Sequence, residues 1–160
     1  MKKRLFIPLL LLTFSCHFND RNTTIDNLPA FDMLLPDSMT IVHSNQIPLG
    51  RKTIFLYFRT DCPHCKAEMR AILKHIDSLQ TVRLYFLTYM SIPEIRQFTN
   101  ELHLPAYKNV VVGKDYQGRF SQAFKPKVVP YLAIYDTKNK LVKVYKGGTS
   151  FENLSAALHF

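Results

Sequence analysis

Two cysteines, Cys62 and Cys65, stand three positions apart with Pro63 and His64 between them. Such a pair closes a small disulfide ring when a helix begins at the first sulfur. The unpaired N–H groups and the dipole of that helix end favour a thiolate there. The chemistry this permits is thiol–disulfide exchange: a thiolate attacks a disulfide sulfur, and a second thiol then attacks the mixed disulfide. Cys62, at the expected helix start, is the candidate nucleophile. Cys65, one turn further in and expected to be more buried, is the candidate resolving thiol. Pro63 suits a first helical turn, where its missing N–H leaves no bond unmade. A protonated His64 favours the Cys62 thiolate, whereas Asp61 carries a like charge and opposes it unless it faces solvent or pairs with Arg59 or Lys66. The helix end and His64 are expected to prevail.

The same residue types can hold metal, but a closed zinc site needs four well-spaced ligands. There is no second Cys-x-x-Cys pair, and His75 and His103 fall on or beside predicted helices as surface residues. No metal is expected. The redox centre is then the Cys62–Cys65 disulfide itself, with no other cofactor.

Alternating strands and helices must position this pair. Residues 53–59, Thr-Ile-Phe-Leu-Tyr-Phe-Arg, form a continuous β-prone run, the pattern of a central strand buried on both faces. From Pro63 the pattern turns helical: Met69, Ile72, Leu73, Ile76 and Leu79 make one apolar stripe. Glu68 lies off that stripe and reads as a solvated helix residue, with a proton relay as the sharper alternative. Residues 82–88 form a second strong strand, and Ser91-Ile92-Pro93-Glu94 opens a helix to about Leu102 with a capping box. Shorter strands are expected at 39–42 and 109–112, and Asp115 is a candidate cap for a helix through Phe124. Residues 131–135 and 141–145 read as a hairpin, Gly147-Gly148 as a break, and Ser150 as the cap of a last helix to Leu158. Strand–helix alternation in the middle argues a parallel core, to which the hairpin adds antiparallel strands.

The start of the chain has a different character. Lys2, Lys3 and Arg4 precede an almost wholly apolar stretch at 5–14, the pattern of a secretory signal. Ser15-Cys16 follows at once and resembles a bacterial lipoprotein cleavage site, although Thr13 stands where that family favours Leu. The resemblance implies a lipid on Cys16, which would anchor the protein to a membrane. The expected organisation is a signal peptide at 1–15, a lipidated tether at 16–27 and one domain at 28–160. Cys16 taken by lipid leaves Cys62 and Cys65 for each other, which in an exported chain favours a redox role over a structural staple. Of the formal charge of +9, the signal carries three, leaving +6 from Cys16 onward. The excess falls late in the chain. It reads as a solvated basic surface, with attraction to anionic lipid or an acidic partner as the alternative. Nucleic acid is not expected, since no recognition motif is present.

Cys-x-x-Cys after the first central strand resembles the thioredoxin superfamily, and more narrowly its TlpA-type redoxin branch. Four segments carry the likeness: Pro29-Ala30-Phe31-Asp32-Met33-Leu34 with Asp37-Ser38; residues 54–65; Cys65-Lys66-Ala67-Glu68-Met69; and Val128-Val129-Pro130-Tyr131-Leu132. The helix opening at Pro93 takes the place of the branch's inserted element. The resemblance implies an α/β thioredoxin-like fold, a central mixed sheet flanked by helices. It implies a cis bond before Pro130 in a loop facing the disulfide, with Val129 offering backbone to a bound peptide. Three positions depart from the pattern: Asp61 replaces the usual aromatic, Leu56 the buried acid of thioredoxin, and Arg70 a common helix proline.

The implied function is a thiol–disulfide oxidoreductase on the periplasmic side of the bacterial cell envelope. It would be lipid-anchored, would act on protein thiols and disulfides, and would be recharged by a membrane redox partner. Pro-His between the cysteines is a dipeptide of strongly oxidising pairs, whereas TlpA-type proteins often act as reductants, so the direction of electron flow stays open. A metallochaperone holding soft copper between two thiolates is the alternative. A thiol peroxidase is disfavoured, because Phe55 and Arg59 stand where that chemistry places Pro and Thr.

Overall fold

The continuous apolar runs form the middle of a seven-stranded sheet in a computed structural model that describes residues 26–159. The expected signal, Cys16 and nearly all of the expected tether lie outside the described residues. Strands β1 (Asp32–Leu34), β2 (Ile41–His43), β3 (Thr53–Tyr57), β4 (Arg83–Thr88), β5 (Val110–Lys114), β6 (Tyr131–Tyr135) and β7 (Leu141–Lys146) are arranged in the order β2-β1-β5-β4-β3-β6-β7. β3, β4 and β5 run parallel, and β6 joins β3 antiparallel with Tyr57 opposite Tyr131. The expected mixed sheet is present. Every residue of β3 and β6 is buried, as continuous apolar runs require.

Alternation along the central strands sorts side chains onto two unlike faces. Ile54, Leu56, Leu84, Phe86, Leu132 and Ile134 point to a largely aliphatic side, covered by α1 (Pro63–Lys74), α2 (Ile92–Glu101) and α4 (Phe151–Leu158). Phe55, Tyr57, Tyr85, Tyr131 and Tyr135 point to the other side, where α3 (Arg119–Phe124) contributes Phe120 and Phe124. The six-residue α3 is held by ring packing: Phe120 lies 5.1 Å from Tyr57, 5.2 Å from Phe31 and 4.2 Å from Phe124 between centroids.

The capping signals hold. Ser91 and Glu94 close a reciprocal box on α2, and Ser150 accepts from Asn153 N at 3.3 Å to start α4. Several boundaries differ from expectation. The strand expected at 39–42 forms at Ile41–His43, because Asp37 Oδ1 accepts from Met39 N and Thr40 N and holds a turn there. The short strand expected at 109–112 forms at Val110–Lys114. The helix expected from Asp115 begins at Arg119, since Gly118 enters it with φ 67°. The stripe that runs to Leu79 is α-helical only to Lys74 and ends in a 3-10 turn at Ile76–Leu79.

Candidate active site

β3 ends beneath the loop that carries the two cysteines. Cys62 is the N-cap of α1, with Pro63 in the first turn, and its Sγ accepts from Cys65 N at 3.2 Å. The sulfur therefore occupies the position where a helix offers unpaired N–H groups to an anion. Cys62 is half-buried, whereas Cys65 is 0% exposed within the aliphatic core. Burial pushes the Cys65 thiol up to about 12, and the neighbouring Cys62 adds to the rise. One sulfur is presented and the other is sealed and held protonated.

Arg59 grips Asp61 by two bonds, Nε to Oδ1 at 2.9 Å and Nη2 to Oδ2 at 2.6 Å. That contact holds the Asp61 carboxyl below the usual carboxylate range. Of the three arrangements open in the sequence, Asp61 takes the one that directs its charge onto a cation of its own loop. Lys66 is engaged instead with Glu101, at 2.9 and 3.1 Å. His64 is exposed on the first turn of α1. His75 stacks on Phe151 with centroids 3.9 Å apart, and His103 is exposed. Among the described residues, no group of three or more His, Cys, Asp and Glu side chains is placed to hold a metal ion.

The Val129–Pro130 peptide is cis. Val129 and Cys62 both pack against the aliphatic core, and Pro130 itself is buried. Pro130 O accepts from Gly147 N at 2.8 Å, which ties this loop to the end of β7. Glu68 is not the solvated residue its sequence position suggests. It is half-buried, its Oε2 accepts from Thr149 N at 3.2 Å, and burial raises its carboxyl. Gly148, at φ 94°, lies between Pro130 and Glu68: a Cβ there would come within 2.9 Å of Glu68 Oε2 and 3.5 Å of Pro130 Cγ. α1, the cis-proline loop and the β7–α4 turn thus meet at Glu68, about one helical turn beyond Cys65.

On the aromatic side the sequence hides a second buried acid. Asp115 is 3% exposed and accepts from Phe120 N at 3.2 Å and Ser121 N at 3.0 Å, with Tyr57 OH at 3.4 Å. It caps α3 from outside the helix, supplying what Gly118 lacks. Burial, then the Asp115 charge, pushes the Tyr57 hydroxyl up to about 12. The sequence signal was a lone Asp before Gly118, and only the fold shows its reach across five and six residues.

A family model described as a thioredoxin-like domain matches residues 44–160. The chain belongs to the thioredoxin-like family. No curated protein matches it in sequence. Among solved structures, this thioredoxin-like chain is similar to DsbF of Mycobacterium tuberculosis, at 20% identity and a TM-score of 0.67, over 81% of this chain and 92% of that one. It is similar to StoA of Bacillus subtilis at 18% identity and a TM-score of 0.63, over 81% and 96%. It also resembles a secreted M. tuberculosis disulfide oxidoreductase homologous to DsbE of E. coli, at 14% identity and a TM-score of 0.67, over 81% and 94%. These likenesses show a shared thioredoxin-like fold.

Proposed function

We propose that this protein is a thiol–disulfide oxidoreductase that exchanges disulfides with protein thiols through Cys62 and Cys65. The observation that carries the reading is the pairing of a half-buried Cys62 sulfur at a helix N-terminus with a sealed Cys65 one turn on. In the reductive direction the Cys62 thiolate attacks one sulfur of a substrate disulfide and releases the other as a thiolate. Cys65 then gives up its proton and attacks the Cys62 sulfur, which closes the Cys62–Cys65 disulfide and frees the second substrate thiol. Two electrons pass from protein to substrate. The reverse sequence oxidises a dithiol, and the partner that recharges the pair sets the direction. Pro63, His64 and Asp61 tune Cys62, and Val129 and Pro130 line the place where a substrate backbone lies.

The envelope is the proposed compartment, on its periplasmic side, with lipid on Cys16 holding the domain near a membrane redox partner. No helix among the described residues is long and apolar enough to cross a membrane. The likeness to a secreted disulfide oxidoreductase, and to DsbF in mixed oxidized and reduced forms, favours the exchange reading over a copper carrier.

The test is a trap. Cys65→Ala leaves the mixed disulfide on Cys62 unresolved, so envelope extracts should yield covalent adducts with substrate proteins that a reductant releases. A folded Cys65→Ala protein that captures nothing would overturn the reading. Wild-type protein should also catalyse reduction of insulin disulfides by dithiothreitol. Stoichiometric Cu(I) retention with slow exchange would instead mark a metallochaperone.

A further inference from the structure

The parallel strands point their C-terminal ends at the cysteines, and four chain segments close the fold at that end. They follow β4, follow β5, precede β6 and follow β7. The segment from the end of β5 to the start of β6 carries Lys114, Arg119, Lys125 and Lys127, and Lys146 ends β7 opposite Tyr131. Arg119, Lys125, Lys127 and Lys146 are exposed. Among the described residues, no carboxylate lies within 4.0 Å of any of these five cations.

The carboxylates at this end are already engaged. Asp61 is bonded twice by Arg59. Glu94 accepts from Ser91 N at 2.9 Å, with the Lys114 charge nearby. Asp115 is buried under α3, and Glu68 is bonded to Thr149 N. Three large apolar side chains are exposed at the same end: Tyr89 (50%), Tyr116 (37%) and Val128 (49%), with Val128 two positions before the cis Pro130. Tyr89 directly follows β4, and Tyr116 lies two residues beyond β5. Exposed apolar side chains at the same end as four exposed cations that make no ion pair among the described residues, Arg119, Lys125, Lys127 and Lys146, have the character of a docking surface for an anionic polypeptide.

We infer that the face around Cys62 selects cysteine-bearing polypeptide segments rich in Asp or Glu. The inference rests on the exchange reading above and names its substrate class. The segment would lie along Val128 and Val129, with its acidic side chains toward Lys125, Lys127, Arg119 and Lys146. The chemical step is unchanged: one substrate disulfide breaks, one Cys62–Cys65 disulfide forms, and two electrons with two protons pass to the substrate.

The test uses reduced protein in single turnover with three cyclic peptides of equal length. Each is closed by one disulfide and carries Asp, Gln or Lys beside its cysteines. At low ionic strength the Asp peptide should be reduced roughly tenfold faster than the Lys peptide, and the gap should close near about 1 M salt, where screening acts within ~3 Å. Lys125→Glu with Lys127→Glu should reverse the preference. Lys108→Glu with Lys138→Glu, at the opposite end of the sheet, should leave it intact. Equal rates for all three peptides, with exchange proceeding, would overturn the substrate inference and leave the exchange reading standing. No reaction with any peptide by folded protein would overturn the exchange reading itself. A Lys125/Lys127 variant that loses binding to phosphatidylglycerol vesicles but keeps the wild-type peptide preference would assign the face to lipid and overturn the inference.

Discussion

The two faces of the sheet are built from different material and serve the site differently. On the aliphatic face, α1, α2 and α4 pack through Met69, Ile72, Ile95 and Leu154, and Cys65 is one more small apolar group among them. On the aromatic face, rings from five segments interlock around Phe120, and the six-residue α3 has that cluster and the Asp115 cap to hold it. The first face carries the reactive helix. The second anchors the segment that leads into Val129–Pro130, where the proposed substrate chain would lie. The site depends on a helix end from one face and a loop braced from the other.

Phe120 is where the aromatic face bears most of its load. Phe120→Ala should lower stability by about 3–5 kcal/mol, the upper range for a buried aromatic, because four ring neighbours lose their common partner. Denaturant unfolding measures it. A loss under about 1 kcal/mol would mean that the aromatic face braces nothing.

The aliphatic face predicts a chemical contrast instead. In reduced, folded protein near neutral pH, iodoacetamide should modify Cys62 at least about a hundredfold faster than Cys65, which is fully buried and whose thiol stays protonated up to about 12. In urea the two should react alike. Mass spectrometry of quenched samples reads both rates, and comparable labelling of the folded protein would show that Cys65 is not sealed.

Much of the aliphatic face is legible in the sequence. Cys62-Pro63-His64-Cys65, the stripe from Met69 onward and the Ser91–Glu94 box are local patterns, each set by residues a few positions apart. The aromatic face is less legible, because its devices are long-range. Asp115 reaches the N–H groups of Phe120 and Ser121 only once Gly118 has turned the chain, and nothing in the spacing names Phe31 and Tyr57 as partners of Phe120. β1 pairs with β2 over three residues each, too few for alternation to show. Within the site, the Arg59–Asp61 contact was one of three arrangements the sequence allowed. Glu68 looked solvated because the turn that covers it arrives from 81 residues downstream, at Thr149.

The faces also differ in alkaline response. Tyr57, Tyr85, Tyr131 and Tyr135 all have hydroxyls raised by burial, Tyr57 to about 12. A tyrosine in the unfolded chain ionises near 10, so from that pH upward the unfolded state sheds protons that the folded state retains. With the Cys62–Cys65 pair oxidised, so that the raised Cys65 thiol does not titrate, stability is therefore full below about pH 10 and falls as pH rises from there toward 12, by about 1–3 kcal/mol for Tyr57. Urea midpoints measured across this range, with tyrosinate absorbance in parallel, check the sign. Stability that is flat to pH 12 would contradict the burial of these hydroxyls.

The finest test lies where the two faces meet, at the paired glycines after β7. Gly147 and Gly148 have nearly the same backbone, φ 93° and 94°, so alanine at either position meets the same left-handed strain of about 1 kcal/mol. Their surroundings differ. A Cβ on Gly147 meets nothing within 4 Å, whereas one on Gly148 meets Glu68 Oε2 at 2.9 Å and Pro130 Cγ at 3.5 Å. Gly148→Ala should therefore cost about 1 kcal/mol more than Gly147→Ala, because the half-buried carboxylate and its bond to Thr149 N must shift. It should also slow insulin reduction more, since the displaced turn holds Pro130 through Gly147 N. Equal losses of stability and rate in the two variants would show that Glu68 and the proline loop move independently of the turn between them.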